Sequence, residues 1–422
     1  MAQIAVIGTG YVGLTTGACF AHLGHGVVCL DVDAHKVARL NSGEIPILED
    51  QLPELVKQGM TSGRLTFTTE TAEAVGGAEF AFLCVPTPQS ESGEADLTYV
   101  EMAAREIAPH IPRDSVVVNK STVPVGSTRV VERAMRRSDV HVVSNPEFLR
   151  EGTAVHDFLN PDRVVVGGDD QAAAMRVAEL YAGTKAPVVV TDAASAEMIK
   201  YAANAFLATK ISFVNAVATI CEGVGADIRD VVRGMGYDKR IGHDFLRPGP
   251  GWGGSCFPKD TTALLRIAEQ ADYRFDLLEG VIAANLGQFD RTAERIAAGL
   301  TAGETVAVWG LTFKALTDDL RDSPSLEIVR RLLKKGLRVQ AFDPTVSGNL
   351  AVIPEVVITD SELRACDGAS VLAVLTEWEN FRWVDPSEVA NRLSTRRVVD
   401  GRNLLDRSVW RSAGFDYQGI GR

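Results

Sequence analysis

Short apolar runs alternate with helical patterns along the first third of the chain. The runs are rich in valine and isoleucine and carry few polar residues, as expected of strands that are covered on both faces. Helical patterns such as Val12–Leu23 and Thr98–Ala108 separate these runs, which predicts a parallel, doubly wound sheet. The predicted strands are Ile4–Gly8, Val27–Asp31, Phe80–Val85, Ser115–Lys120, His141–Ser144 and Arg163–Gly167.

The pattern changes in the middle of the chain. From Ala194 to about Gly223 it is helical and nearly continuously apolar, which predicts a buried spine packed by neighbouring helices or by a second subunit. Further helices continue to about Leu300. A second α/β pattern then begins near Glu304, with a helix at Leu326–Lys335. Its predicted strands are Thr305–Gly310, Arg338–Asp343, Val371–Leu375 and Val398–Asp400.

The length and this succession of patterns predict the architecture. A chain of 422 residues favours two or three domains. We predict an α/β protein in which two Rossmann-like, doubly wound domains are joined by a central helical domain that contains the long spine helix. The predicted domains span residues 1–192, 193–300 and 301–422.

Charge and composition exclude several classes of partner. The 43 Lys and Arg against 55 Asp and Glu give a net charge of −12, which argues against nucleic acid and membrane surfaces as partners. No uninterrupted apolar stretch approaches the roughly 18 residues that span a bilayer. The start, MAQIAVIGTG, has no basic region followed by a long apolar one, so no signal peptide is predicted. We therefore expect a cytoplasmic protein.

The segment Gly8–Gly13 (GTGYVG) follows the first predicted strand and opens a predicted helix. Its first glycine permits a tight turn, the second admits a pyrophosphate, and the third lets the helix pack closely on the strand. Asp31 ends the second predicted strand, where a carboxylate meets ribose hydroxyls and repels a 2′-phosphate. NAD is therefore favoured over NADP, although Lys36 and Arg39 lie nearby. The alternative is a tight turn that binds nothing.

Cys256 is a candidate nucleophile. It lies in the segment GGSCFPKD, where glycines give a ligand access to the backbone and Lys259 could promote thiolate formation. The alternative for any cysteine is an inert core residue, and without a C-x-x-C pair the sequence predicts neither a disulfide framework nor a metal site. The inert reading is preferred for Cys19, Cys29, Cys84, Cys221 and Cys366.

Polar residues at buried or strand-end positions are further candidates. Lys200 and Asn204 are four residues apart on the apolar helix and so share one face, where a lysine requires an anion or a chemical role unless it snorkels to solvent. Glu147, Glu151 and Thr122 follow predicted strands, and ligands of parallel sheets bind beyond the carboxyl ends of strands. Ordinary loop capping is the alternative for these three residues.

Together these segments resemble the UDP-glucose/GDP-mannose dehydrogenase family from end to end. The resemblance rests on GTGYVG, STVPVGST, NPEFLREG, EMIKYAANAFLATKISFVN, GWGGSCFPKD, GLTFKALTDDLRDSP and the late DGRN. It implies an NAD-binding domain, a central dimerisation domain that carries the catalytic cysteine, and a domain that binds the nucleotide sugar. The implied reaction oxidises the sugar C6 alcohol to a carboxylate, a four-electron change that consumes two NAD.

The resemblance also assigns a role to each candidate. Cys256 would form a thiohemiacetal and then a thioester, while Lys200 and Asn204 would stabilise the oxyanion. Glu147 would be the general base of thioester hydrolysis, and Lys200 or a bound water would take the first alcohol proton. The two remaining catalytic residues are Asp260, which would orient water or the lysine, and Thr122, which would position the hydrolytic water.

The same matching implies which residues bind the cofactor and the substrate. The cofactor residues would be Gly8, Gly10, Tyr11, Val12, Gly13, Asp31, Lys36, Thr122, Glu151, Lys259 and Arg321. The substrate residues would be Phe148, Leu149, Glu151, Lys200, Asn204, Arg247, Gly251, Gly253, Phe313, Lys314 and Arg402. Arg240 would reach the substrate across the interface of a homodimer whose core is the long helix.

Alternatives remain for the sugar and for the reaction. Phe257 of SCFPKD favours UDP-glucose over GDP-mannose and leaves dTDP-glucose open, while Arg247 stands where the family often has lysine. A two-electron dehydrogenase of the 3-hydroxyacid type would share the first domain and a long central helix but would not need Cys256. A non-catalytic NAD-responsive scaffold would have no use for the catalytic set.

Overall fold

A computed structural model describes residues 1–90, 93 and 95–422. The chain divides into two units. Unit 1 comprises Met1–Ala203 and Thr262–Ala271, and unit 2 comprises Asn204–Thr261 and Asp272–Arg422. The three-domain division at residues 192 and 300 stays a prediction.

Strands and helices alternate through unit 1. Its described strands are β1 (Gln3–Ile7), β2 (Gly26–Leu30), β3 (Leu65–Thr68), β4 (Phe80–Leu83), β5 (Val116–Asn119), β6 (His141–Ser144), β7 (Val164–Gly167) and β8 (Val188–Thr191). Its described helices are α1 (Tyr11–His22), α2 (Ala34–Asn41), α3 (Leu52–Thr61), α4 (Thr71–Val75), α5 (Thr98–Ile107), α6 (Ser127–Met135), α7 (Ala154–Leu159) and α8 (Gln171–Glu179), followed by a 3-10 turn at Ala182–Thr184 and the first part of α9 (Ala193–Val224).

The sheet of unit 1 is doubly wound. Its strands are hydrogen-bonded in the order β3-β2-β1-β4-β5-β6-β7-β8. All pairs from β3 to β6 are parallel. β7 and β8 are parallel to each other, but β7 meets β6 in the antiparallel sense through Ser144 and Gly167. The order reverses between β1 and β4, so the carboxyl ends of these strands mark the point where such sheets bind ligands.

Both faces of this sheet are covered, as the apolar runs predict. Alternate residues of a strand point to opposite faces. Val6 and Phe82 pack in one apolar cluster with α1, whereas Ala5 and Leu83 pack in a second cluster with α5 and α6. Burial of both faces explains why these strands carry almost no polar residues.

Unit 2 contains a second sheet of the same design. Its described strands are β9 (Thr305–Trp309), β10 (Arg338–Phe342), β11 (Val357–Ile358), β12 (Val371–Val374), β13 (Arg397–Asp400) and β14 (Asp416–Gly419). Besides the second part of α9, its described helices are α10 (Ile228–Gly236), α11 (Phe257–Gln270), which ends in unit 1, α12 (Asp276–Ala297), α13 (Pro324–Lys334), α14 (Glu362–Ala365), α15 (Pro386–Ala390) and α16 (Arg407–Ser412), with a 3-10 turn at Glu379–Trp383.

The second sheet confirms the predicted fold class. Its order is β11-β10-β9-β12-β13-β14, with all neighbours parallel. When the strands of each sheet are numbered in the order in which they occur along the chain, this sheet and the first six strands of unit 1 have the same order, 3-2-1-4-5-6. That order is typical of dinucleotide-binding domains. The predicted α/β architecture with two Rossmann-like sheets and intervening helices is therefore correct.

The predicted spine helix is α9, which runs from Ala193 to Val224 over 32 residues. By length and composition alone it would also suffice to cross a membrane, a test that the core helix of a soluble protein passes equally. Its first three turns bury Glu197, Lys200 and Asn204. Buried polar groups require partners. The partner of Lys200 lies in unit 1 and that of Asn204 in unit 2, and each is described below.

Candidate active site

The three glycines of the fingerprint have different surroundings. Gly8 has a φ of +98°, a conformation that favours glycine, and its N–H donates to the carbonyl oxygen of Leu30 at 2.8 Å. A Cβ at Gly13 would lie 1.8 Å from the carbonyl oxygen of Gly8. A Cβ at Gly10 would meet no atom of the described residues within 4 Å. Gly10 thus leaves open space at the start of α1, which is the cradle that a pyrophosphate requires.

Asp31 follows β2 and is almost fully buried. Its Oδ2 accepts hydrogen bonds from the N–H and hydroxyl of Thr9, at 2.8 and 2.6 Å, and from the Lys36 ammonium at 2.9 Å. Burial acts to raise the pKa of Asp31, but the bonds from Thr9 and Lys36 outweigh it and hold the pKa below its usual range. Because Lys36 is paired with Asp31, these residues fit NAD better than a 2′-phosphorylated cofactor.

Four other predicted cofactor residues lie near the ends of elements of unit 1. Tyr11 is the first residue of α1, and Val12 packs against the adjacent apolar cluster. Thr122 follows β5, and its carbonyl oxygen accepts a bond from the Thr87 hydroxyl at 2.9 Å. Glu151 is partly exposed in the turn that precedes α7. Tyr11 and Thr122 therefore follow β1 and β5, at the edge where the doubly wound sheet is expected to bind ligands.

Glu147 and Lys200 form a buried ion pair in unit 1. The Lys200 ammonium donates to Oε1 of Glu147 at 2.9 Å and to its carbonyl oxygen at 2.6 Å, and the two side chains are only 4% and 6% exposed. Oε2 of Glu147 accepts the Leu149 N–H at 2.7 Å. Burial acts to raise the pKa of Glu147, but the Lys200 charge outweighs it and holds the pKa below its usual range. Glu147 is therefore an ionised carboxylate, held in one orientation.

Phe148, a predicted substrate residue, packs against cations. The Arg163 guanidinium carbon lies 3.7 Å from the centre of its ring, and the Lys200 ammonium lies 5.4 Å from it. Both distances are within the range of cation–π attraction. The ring thus helps to fix Lys200.

Lys120 is a buried cation that the sequence analysis did not single out. Its ammonium donates to Asn145 Oδ1 at 3.1 Å and to the Tyr181 hydroxyl at 3.0 Å. Burial lowers the pKa of Lys120 to about 8, although the negative charge of Glu147 acts to raise it. These side chains and Glu147 line a cavity of about 130 Å³ in unit 1, which has room for water.

Cys256 immediately precedes α11 in unit 2. Its carbonyl oxygen accepts the Asp260 N–H at 2.9 Å, so its thiol lies at the amino end of a 14-residue helix, where negative charge is stabilised. It is partly exposed, whereas the other five cysteines are buried. Burial raises the pKa of Cys19, Cys84 and Cys366 to about 12. Access and environment therefore distinguish Cys256 from the other thiols.

Asp260 organises the residues around Cys256. It is fully buried, and its Oδ2 accepts the Asn204 amide at 2.6 Å while its Oδ1 accepts the Lys259 ammonium at 2.5 Å. The carboxylate therefore orients an amide from α9 and a lysine from α11. The family resemblance implies that Asp260 orients water or the lysine; its observed partners are Asn204 and Lys259.

The glycine-rich loop before Cys256 is held by close backbone contacts. A Cβ at Gly251 would lie 2.4 Å from the Phe289 ring, and a Cβ at Gly253 would lie 2.0 Å from the carbonyl oxygen of Asp322. Glycine is therefore required at both positions by neighbouring protein atoms. This packing holds the Gly/Pro-rich segment in one place.

Buried amides, which the sequence analysis missed, fix the same loop. Asn285 accepts the Trp252 N–H at 2.8 Å and donates to its carbonyl oxygen at 2.9 Å. The Trp252 indole donates to the Ser212 hydroxyl at 2.8 Å, and Gln288 donates to the carbonyl oxygen of Gly249 at 2.8 Å. The sequence signal that could have identified them is the presence of amide side chains on the buried face of α12.

Three predicted substrate residues of unit 2 lie together after β9 and β13. Arg402 donates to the carbonyl oxygens of Leu375 and Phe313, at 2.8 and 3.0 Å, and pairs with Glu377 at 3.0 Å. The Lys314 ammonium lies 5.5 Å from the centre of the Phe313 ring. Two cations and an aromatic ring at strand ends form a suitable environment for an anionic nucleotide.

Three of the predicted binding residues are arginines of unit 2. Arg240 forms an ion pair with Asp238 at 2.6 Å, and Arg321 forms one with Asp319 at 2.7 Å. Arg247 is exposed.

Family models match nearly the whole chain. Residues 2–185 match the NAD binding domain of the UDP-glucose/GDP-mannose dehydrogenase family. Residues 194–286 match the central domain of that family, and residues 307–407 match its UDP binding domain.

Individual relatives are similar over the same length. UDP-glucose 6-dehydrogenase TuaD of Bacillus subtilis is 45% identical, with 100% of this chain and 94% of the relative covered. UDP-glucose 6-dehydrogenase of Pseudomonas aeruginosa is 45% identical, with 100% and 97% covered. Among solved structures, a UDP-glucose dehydrogenase from Pyrobaculum islandicum superposes with a TM-score of 0.92 at 37% identity, covering 100% of this chain and 98% of that chain.

The glycine geometry generates a test of the cofactor site. Gly10→Ala fits the protein but fills the proposed pyrophosphate cradle, so we expect normal thermal stability and NAD binding weakened by roughly 1–3 kcal/mol, or about 10- to 100-fold. Gly13→Ala should instead lower the melting temperature, because its Cβ meets the Gly8 carbonyl. Thermal melts and NAD titrations of both variants measure these effects.

Gly77→Ala is the matched control, since a Cβ there also meets no atom of the described residues within 4 Å. It should change neither stability nor NAD affinity. Wild-type NAD affinity in Gly10→Ala would contradict the cradle.

Proposed function

The chain belongs to the UDP-glucose/GDP-mannose dehydrogenase family, and we propose that it oxidises UDP-glucose to UDP-glucuronate with two molecules of NAD. The observation that carries the choice of substrate is the 45% identity, over the whole chain, to two bacterial UDP-glucose 6-dehydrogenases.

Membership of the family confirms the predicted class of reaction. The chain is an NAD-dependent dehydrogenase. A two-electron hydroxyacid dehydrogenase and a non-catalytic NAD-binding scaffold are both set aside, because the match extends over the central and UDP binding domains.

The proposed reaction removes four electrons and adds one water. The C6 alcohol loses a hydride from carbon and a proton from oxygen. The Cys256 sulfur then bonds to the aldehyde carbon, the C=O π bond opens, and the thiol proton passes to the carbonyl oxygen. The resulting thiohemiacetal loses a second hydride and its hydroxyl proton, which leaves a thioester. Water attacks the thioester, the C–S bond breaks, and the thiol, a carboxylate and a third proton are released. The fingerprint residues Gly8–Gly13 would hold NAD, and two NAD molecules in turn would each supply the acceptor for one hydride.

Cys256 is the proposed nucleophile. Its partial exposure and its position before α11 support this role, because thiolates are favoured at helix amino ends. The covalent bond would retain the aldehyde while reduced cofactor is exchanged for oxidised cofactor.

Lys200 and Asn204 are proposed to stabilise the oxyanion. An ammonium and an amide are suitable donors to a developing alkoxide. Asp260 supports this role as the acceptor that orients the Asn204 amide and Lys259. Lys200 and a bound water are the two candidates for the group that accepts the first alcohol proton.

Glu147 is proposed as the general base of thioester hydrolysis, with Thr122 positioning the water. The Lys200 charge that holds the pKa of Glu147 below its usual range keeps the carboxylate deprotonated at neutral pH. When Lys200 donates to the oxyanion, its hold on Glu147 weakens, and the carboxylate becomes a stronger base at the moment a proton must be accepted.

The binding residues implied by the family remain proposals. For the nucleotide sugar they include Arg402, Lys314 and Phe313, whose clustering after β9 and β13 supports a diphosphate site. The rest of the substrate set is Phe148, Leu149, Glu151, Lys200, Asn204, Arg240, Arg247, Gly251 and Gly253. The proposed NAD-binding residues of unit 1 are those of the fingerprint together with Asp31, Lys36, Thr122 and Glu151. Lys259 and Arg321 of unit 2 are proposed in addition.

We also propose that the protein is a cytoplasmic homodimer. Phe206, Phe213 and Ile220 recur every seven residues along α9 and are exposed by 65%, 53% and 62%. This spacing places them on one side of the helix. A second copy of the same apolar stripe is a fitting partner, since such a patch on a monomer would be costly. Arg240 is proposed to reach the substrate of the second copy.

Reaction stoichiometry tests the proposed function. With excess NAD and limiting UDP-glucose, we expect two NADH per sugar at completion and UDP-glucuronate as the product. Cys256→Ala should lower kcat by roughly 10³-fold or more, whereas Cys221→Ala, at a buried thiol, should retain it. NADH absorbance and product chromatography measure both.

One NADH per sugar, or full turnover by Cys256→Ala, would contradict the thioester route. Two NADH with GDP-mannose or dTDP-glucose, but none with UDP-glucose, would keep the chemistry and change the sugar.

The apolar stripe of α9 generates a test of the oligomer. Phe213→Asp places a charge in the proposed interface, so light scattering should report the mass of one chain where wild type gives two. Met175→Asp, at a residue of unit 1 that is 49% exposed, should leave the dimer intact. A wild-type protein with the mass of one chain would refute the dimer.

A further inference from the structure

Glu49 is a buried carboxylate to which none of the roles above has been assigned. It lies in the segment between α2 and α3, and only 4% of it is exposed. A carboxylate can be buried in this way only when donors compensate for the loss of water. Its partners therefore indicate what it holds in place.

The partners of Glu49 come from the fingerprint helix and from the loop that carries Glu147. Oε2 accepts the Tyr11 hydroxyl and the Gly152 N–H, the latter at 2.7 Å. The same Gly152 N–H lies 2.7 Å from the Tyr11 hydroxyl oxygen, so the three groups form a closed triangle. Oε1 accepts a longer bond, at 3.4 Å, from the Val155 N–H.

The triangle joins two functional segments of unit 1. Tyr11 is the first residue of α1 and follows Gly10, at the cradle that fits a pyrophosphate. Gly152 ends the segment 147–152, which contains Glu147 and Glu151. The two segments are more than 130 positions apart in the sequence, and Glu49 is their common acceptor.

The local structure of the loop explains why an external carboxylate is needed. Gly152 has a φ of +79°, and among the described residues the Thr153 side chain, which precedes α7, forms no hydrogen bond that caps that helix. The first backbone N–H groups of a helix need acceptors. Glu49 supplies one to Val155, in the first turn of α7, and also accepts the N–H of Gly152 in the turn before the helix, which fixes where the segment 147–152 ends.

We propose that Glu49 is a positioning residue that couples the dinucleotide site to the loop bearing the general base, through Tyr11 and Gly152. This inference rests on the proposed function. A cofactor that settles against the start of α1 would favour the orientation of Tyr11 that Glu49 holds, and thereby the placement of Glu147.

Four variants test the coupling: Glu49→Ala, Tyr11→Phe, the double variant, and Glu49→Gln, which keeps one acceptor oxygen. We expect Glu49→Ala to raise the dissociation constant of NAD about tenfold and to lower kcat by up to about 100-fold, as displacement of catalytic groups can do. Tyr11→Phe should have a smaller effect. The double variant should match Glu49→Ala, because both changes break one triangle, and Glu49→Gln should recover part of the loss.

Glu44→Ala is the matched control. Glu44 lies in the same segment but is exposed, where it pairs with Arg39. Exposed pairs contribute little to stability, so this variant should bind NAD and turn over like wild type. Direct NAD titration, steady-state kinetics and thermal melts are measured for every variant.

Two results would overturn the inference. One is a Glu49→Ala or Glu49→Gln protein that melts at a lower temperature but, while folded, keeps wild-type NAD affinity and kcat; Glu49 would then be structural only. The other is a double variant in which the separate effects add in full. NAD titration needs no turnover, so a wild type that binds NAD but fails to oxidise UDP-glucose would contradict the proposed function and not this inference.

Discussion

The arrangement around Lys200 depends on one constraint, which is that an ammonium group buried in an apolar helix needs an anion in contact with it. Lys200 lies in α9 and is 3% exposed, a position that is costly for an ammonium unless an anion meets it. Glu147 meets it with both its carboxylate and its carbonyl oxygen. One contact thereby keeps the carboxylate ionised, fixes the loop after β6 and holds a cation in unit 1. Removal of either partner would leave a buried charge uncompensated.

A second carboxylate plays a comparable part in unit 2. Asp260 is fully buried and holds Asn204 and Lys259, next to the thiol at the start of α11. Lys200 and Asn204 are one helical turn apart, so a single helix presents two donors that are each oriented by a buried carboxylate. In the proposed reaction these two preorganised donors would stabilise developing negative charge without a reorganisation cost.

Much of this arrangement could be predicted from the sequence. The apolar runs located six of the strands of unit 1, since burial of both faces leaves a continuous signal, and the fingerprint located the dinucleotide site. β3 was missed because threonines alternate with apolar residues in its sequence, LTFT, and one of them, Thr66, is exposed, so that no continuous apolar run marks the strand. The reversed direction of β7 could not be predicted either: the connection from β6 contains only the six-residue α7, and strand direction follows from tertiary packing.

The residues that support the site were harder to predict than those that carry the chemistry. Cys256, Lys200 and Glu147 stand in recognisable motifs. Asn285 and Glu49 lie in segments that look ordinary, because a buried amide or carboxylate reveals its purpose only through partners distant in sequence. The sequence shows which side chains are polar, whereas the three-dimensional fold determines which of them are buried and which groups they bind.

The most direct test of this account is the chemical state of Cys256 when the base is removed. Glu147→Gln, mixed with UDP-glucose and NAD and then quenched in acid, should carry a UDP-glucuronyl thioester on Cys256, detected by intact and peptide mass spectrometry. The adduct should be absent when Cys256→Ala is added to the variant. Turnover by Glu147→Gln at the wild-type rate, with an unmodified cysteine, would contradict the account.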